Sequence, residues 1–101
     1  MYKRQDIESL TYLAWAAAMI GDTNAALVFA ERAVDMDPAD PYSHYYDGLV
    51  RLQAGDPERA IDALEQAAKS GYPVAMLSAD PILKDIRDDR RFARLLVGTN
   101  N

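Results

Sequence analysis

Apolar and small residues recur along the first two-thirds of the chain at spacings of three and four, with polar residues between them. Ala26, Ala30 and Ala33 trace one such face, and Ala60, Ile61, Leu64 and Ala67 trace another. That is the helical period, and no strand-like alternation competes with it. Prolines and glycines punctuate the pattern. Asp40-Pro41, Asp56-Pro57 and Asp80-Pro81 each place a capping carboxylate before a proline at the first helical position, where the missing N–H sacrifices no bond and φ is already set. Asp37-Pro38 closes a helix instead, because the residue before proline is driven out of the helical region. Gly21 and Gly55 stand where a tight turn needs positive φ. The spacing predicts helices over roughly 7–20, 23–36, 41–54 and 57–70. Connections this short make each consecutive pair an antiparallel hairpin.

The pattern also repeats. Gly21-Asp22-Thr23-Asn24-Ala25-Ala26-Leu27 aligns with Gly55-Asp56-Pro57-Glu58-Arg59-Ala60-Ile61 at an offset of 34 residues. The same offset pairs Tyr12 with Tyr46, Glu31 with Glu65 and Ala33 with Ala67. A fixed period of this size predicts stacked units, each burying its apolar face against its neighbours. It also shifts the expected function from chemistry toward binding.

These residues resemble the tetratricopeptide repeat family, whose unit is a helix hairpin of this period with small residues at fixed positions and a closing proline. The first unit matches through Leu10, Leu13, Ala14, Gly21, Ala26, Ala30, Ala33 and Pro38, and the second through Gly48, Gly55, Ala60, Leu64 and Ala67. The resemblance implies an all-α chain of antiparallel hairpins stacked as a short right-handed α-solenoid. Residues 1–101 form a single domain, with repeats over about 7–40 and 41–72 and a capping segment over about 73–97. That segment, Leu77-Ser78-Ala79-Asp80-Pro81-Ile82-Leu83 through Arg91-Phe92 to Leu95-Leu96, is similar to degenerate ends that close many bacterial repeat groups. Phe92, Leu95 and Leu96 are expected to be buried, and Thr99-Asn100-Asn101 to fray.

By the same resemblance, a concave groove is lined from the first helix of each unit. In the first unit the groove positions are Glu8, Thr11, Tyr12, Trp15, Ala18 and Met19; in the second the apolar residues Tyr42, Tyr45, Tyr46, Leu49 and Leu52 occupy them. Where the family places a leucine and an aromatic against the hairpin partner, this chain carries Asp47 and Arg51, expected as an exposed i,i+4 ion pair. Either the groove is unusually apolar or the helix is rotated. Tyr12, Trp15, Met19, Tyr42, Tyr45, Tyr46 and Leu49 form the candidate site, because tyrosine and tryptophan join large contact area to a polar handle. The competing reading makes Trp15 and Tyr45 ordinary core beneath the terminal segment. The groove positions hold no lysine or arginine, so an acidic peptide tail of the kind some family members clamp finds no charge-assisted partner.

Composition narrows the alternatives. The chain has 101 residues, half of them hydrophobic and 27% charged, which suits one globular domain. Its net charge of −5 argues against nucleic acid or an anionic membrane as a partner. There is no cysteine, hence no disulfide or thiolate site, and no apolar run reaches spanning length. A cytoplasmic location is the default expectation.

His44 is the single histidine, with Asp40 and Asp47 on its helix face. No second nitrogen or sulfur ligand accompanies it, so a surface position is expected and no metal or other cofactor. Arg87, Arg90, Arg91 and Arg94 would share a face on one continuous helix, but Asp88 and Asp89 interrupt them, and a solvated cap is the expectation. Ser43 and His44 are adjacent, so their side chains diverge by about 100° and cannot act as nucleophile and base. No catalytic constellation is present, and no enzyme is expected. Two readings remain: an adaptor that holds a peptide or helix of another protein, or a spacer that self-associates as a homodimer within a longer bacterial protein.

Overall fold

The computed structural model describes residues 4–98, and every regular element in that span is helical. α1 (Arg4–Met19) and α2 (Thr23–Met36) form one hairpin, and α3 (Pro41–Gln53) and α4 (Pro57–Lys69) form a second. α5 (Val74–Ala79), a 3-10 helix (Pro81–Ile86) and α6 (Arg90–Gly98) complete the chain. Thr99-Asn100-Asn101, expected to fray, lie outside the described residues.

Two glycine–aspartate pairs build the hairpins. Gly21 and Gly55 have φ of 85° and 83°. At each, the glycine N–H and the following aspartate N–H return to carbonyls of the helix just ended: Gly21 to Ala18 and Asp22 to Ala17, then Gly55 to Leu52 and Asp56 to Arg51. This double bond pattern satisfies helix-end carbonyls that would otherwise lack donors. The aspartate then starts the next helix, Asp22 accepting from Ala25 N and Asp56 from Arg59 N, both at 3.2 Å. One dipeptide therefore ends one helix and begins another. The caps expected at Asp40 and Asp80 are present too, to Ser43 N and Ile82 N.

The core follows the repeat. Ala26, Ala30 and Ala33 are buried, as are Ala60, Leu64 and Ala67 at the same offset. α1 packs on α2, α3 packs on both, and α4 packs on α3. Ala14, Ala17, Ala26 and Ala30 enclose Val50 from α3, so the contact between hairpins is made of small residues that let helices approach closely. The second cluster is larger. Leu49, Ile61 and Leu64 meet Leu77, Leu83, Ile86 and Phe92 of the terminal segment. Phe92 is fully enclosed and Leu95 and Leu96 are half-buried against the cluster. The tail is thus an integral part of the core, and each enclosed large side chain contributes about 1.5–3 kcal/mol of burial.

Two expectations are corrected. His44 is buried, with Nε2 donating to the Pro38 carbonyl at 2.6 Å, because the loop after α2 folds over it. The Asp47–Arg51 pair is only 15% and 16% exposed in its side chains, since it lies against α2 and Arg51 also reaches Glu31. The arginine run is interrupted as expected: Arg87 ends the 3-10 helix and donates to the Asp80 carbonyl at 2.8 Å, whereas Arg90, Arg91 and Arg94 lie on α6, whose start Asp89 caps by accepting from Arg91 N and Phe92 N.

Candidate functional site

Five tyrosines form a continuous chain of rings across α1, α3 and the start of the terminal segment. Tyr12 meets Tyr46 edge-on at 6.3 Å, and Tyr46 meets Tyr45 edge-on at 5.4 Å. Tyr45 stacks on Tyr72 at 4.6 Å with planes 11° apart, and Tyr72 meets the edge of Tyr42 at 5.6 Å. Tyr12 and Tyr46 belong to α1 and α3 at the repeat offset, which is why equivalent rings from adjacent hairpins come into contact. Edge-on and offset contacts place the positive ring edge on a neighbour's negative face, so the set is held by more than area.

The terminal segment divides this aromatic face into two parts. In one part, Tyr45 is half-buried, lies under Tyr72 and donates its hydroxyl to Asp80. Asp80 thereby ties the 3-10 helix it caps to α3. Trp15 packs beside the same cluster, and Leu49 is 2% exposed. Leu49 is therefore corrected from groove lining to core: the segment after α4 closes over it and leaves no surface for a partner. The other part is open. Tyr12, Tyr42 and Tyr46 line a cleft of about 360 Å³ between α1 and α3, together with Arg4, Glu8 and Thr11. Tyr12 and Tyr42 are 61% and 46% exposed, and Tyr46 forms a half-buried wall. Met19 is also exposed but does not line the cleft.

Arg4 corrects the expectation of a groove without basic residues. Its guanidinium lies 5.6 Å from the centre of the Tyr42 ring, a cation–π distance. Nη1 donates to Asp40 at 2.7 Å, and Nε stands 3.5 Å from Glu8. The charge of Arg4 is thus already matched by two carboxylates. Asp40 is itself buried and also accepts from the Ser43 amide and hydroxyl. Burial alone would push its carboxyl up, but the bonds from Arg4 and Ser43 outweigh this and hold it below the ordinary value.

Electrostatics make the rings neutral donors. Burial pushes the Tyr45 hydroxyl up, with Asp80 adding to the effect, and burial raises Tyr46 and Tyr72 as well. Phenols already ionise only near 10, so all three stay protonated in neutral solution. The cleft can thus offer apolar ring surface, hydroxyl donors and a compensated ion cluster. Among the described residues no group of three or more His, Asp or Glu side chains stands together as a metal-binding set. Among the same residues no helix is long and apolar enough to cross a membrane.

Two participants were absent from the sequence reading of the site. Arg4 lies before the predicted start of α1. Tyr72 carried a usable signal: it follows Gly71, whose φ is 114°, and its N–H bonds to the Ala67 carbonyl at 2.8 Å. An apolar residue just past such a helix end folds back on the last turn. Comparison of the chain with protein-family models, curated proteins and solved structures gave no significant match.

Proposed function

We propose that this chain is a two-repeat helical adaptor of the tetratricopeptide type, which binds a peptide or helix of another protein in the cleft between α1 and α3. The observation that carries the reading is the open row of Tyr12, Tyr42 and Tyr46, backed by rings that the protein itself holds still. Preorganised tyrosines give contact area at little conformational cost and direct it through their hydroxyls. Support for the repeat architecture comes from two sources. Buried small residues recur at the 34-residue offset. The packing order, α1 on α2, α3 on both and α4 on α3, is compatible with stacked helix hairpins.

Because Arg4 is matched by Asp40 and Glu8, the partner is read as mainly apolar with hydrogen-bonding groups, and its affinity as weakly dependent on salt. Selection from a displayed peptide library, followed by titration of the enriched peptides, tests this. Tyr42→Ala and Tyr46→Ala should each weaken binding by more than about 1 kcal/mol while helical content is kept. Peptides that bind equally well to both variants would locate binding elsewhere and sink the cleft reading.

A further inference from the structure

The outer face of α1 is bare where the repeat says it should be covered. At the 34-residue offset Ala16 corresponds to Val50, which is 1% exposed because α2 packs over it. Ala16 is exposed, and Leu13, at the position of Asp47, is 49% exposed. The internal contact between α2 and α3 tolerates the ion pair of Asp47 and Arg51, yet on α1 the exposed counterpart of Asp47 is Leu13, while Ala17, at the position of Arg51, is buried. An exposed face is thus more apolar than the equivalent buried one. From Ser9 to Gly21 the chain contains no charged residue at all.

We infer that this face is a self-association surface, on which α1 of a second copy packs across a two-fold axis. Exposed residues follow one another along it at alternating spacings of four and three: Ser9, Leu13, Ala16 and Ile20, flanked by Tyr12 and Met19. That alternation is the seam of paired helices, and with the two-fold axis at Ala16 the small side chains of the two copies face each other between the larger Leu13 and Ile20. Ile20 continues the helical bonding of α1, its N–H reaching the Ala16 carbonyl at 3.2 Å, and is 82% exposed. Tyr12 and Met19 are 61% and 63% exposed. Together these side chains offer roughly 500 Å² per copy, or about 1,000 Å² over a two-fold pair, at the lower limit for a specific interface.

A second copy in this orientation is favoured over head-to-tail stacking by charge. The last helix, α6, exposes Arg90 and Arg94 along with Val97. Docking that face on the α1 seam would bury guanidinium groups against a surface with no carboxylate to pair with them. Seam against seam desolvates no charge, and an isologous pair closes without leaving a further free end. The inference does not rest on the cleft reading: Tyr12 borders both surfaces, but Leu13, Ala16 and Ile20, on which the tests act, do not line the cleft.

Sedimentation velocity over about 5–200 µM tests it, with a dissociation constant expected between about 1 and 100 µM for so small an area. Higher salt should leave that constant unchanged or tighten it, because it screens the −5 carried by each copy. Leu13→Glu combined with Ile20→Glu should weaken association at least about tenfold with helical content retained. Val97→Glu, at the other end of the molecule, should change nothing. A thiol probe covers the case of a misfolded double variant: in this cysteine-free chain, Ala16→Cys should cross-link rapidly to a dimer under mild oxidation. A wild-type chain that stays monomeric at 200 µM (about 2 mg/mL), or an Ala16→Cys chain that does not cross-link, overturns the inference.

Discussion

Arg91 of α6 donates to Glu65 of α4 at 2.9 Å, and 34 residues before Glu65, Glu31 of α2 takes Arg51 of α3 at 3.4 Å. α6 is thus tied to α4 at the position that corresponds, at the repeat offset, to the one by which α2 holds α3. The ion pair fixes only the approach, being partly exposed and shared with Asp62. The energy of docking lies in the apolar contacts of Phe92, Leu83 and Leu77.

Phe92→Ala should accordingly cost about 3–5 kcal/mol, since the ring is fully enclosed and its loss leaves a cavity. Urea denaturation measures this directly, and in a domain this small each kcal/mol moves the melting midpoint by about 4–8 °C. Arg91→Ala should move it far less. Similar losses for the two variants would mean that the cap is held by charge.

Gly48 is expected to resist even a methyl group. A Cβ built there would lie 2.8 Å from Leu64 Cδ2, 2.9 Å from Leu64 Cγ and 3.3 Å from the Ala60 carbonyl oxygen. Leu64 is itself fully buried, so it has no free space into which to retreat. Gly48→Ala gains about 1 kcal/mol of helix propensity but incurs overpacking of about 1–3 kcal/mol. A net loss of stability is expected from thermal melts, together with a wider separation of α3 and α4. A stabilised variant would show that the hairpin has slack.

Tyr45 and Tyr42, three residues apart on α3, should separate folding from binding. Tyr45→Phe removes the donor to Asp80 and leaves a partly buried carboxylate short of a partner, a loss of about 1–3 kcal/mol. Tyr42 is nearly half exposed, and its replacement by alanine should leave the melting midpoint closer to wild type while weakening peptide binding. The reverse pattern would place the binding surface beneath the terminal segment.

The division between those two rings shows what local sequence can and cannot carry. The hairpins were legible because their determinants are local: Gly21-Asp22 and Gly55-Asp56 end and begin helices through atoms a few residues apart. Alanine spacing likewise marked the faces that came to be buried. The aromatic face was legible as a face, but its coverage depends on Tyr72 and Asp80 returning to α3 from 27 and 35 residues away. Nothing in the spacing of α3 records that return. His44 and Asp47 misled for a related reason. Polar side chains read as exposed unless their partners are known, and those partners, the Pro38 carbonyl and Arg51 backed by α2, are tertiary.

Asp40 and Asp47, both on the α3 side of the inter-hairpin contact, should give opposite responses to pH. Asp40 is held below the ordinary carboxylate value despite burial, because Arg4 and Ser43 bind its ionised form. Its contribution is complete above the unfolded value near 4 and is lost as pH falls through the lower folded value. Asp47 is shifted the other way. Burial raises it, and Arg51 only partly offsets this. Its neutral form is the one the fold prefers, so its contribution is greatest in acid and declines as pH rises through the raised folded value. Melting curves of wild type, Asp40→Asn and Asp47→Asn across roughly pH 3–7 isolate the two effects. The advantage of wild type over Asp40→Asn should shrink on acidification, whereas its standing against Asp47→Asn should improve. Parallel profiles for the two variants would mean that both carboxylates titrate as they do in the unfolded chain, and the buried ion clusters around α3 would then contribute nothing to its pH dependence.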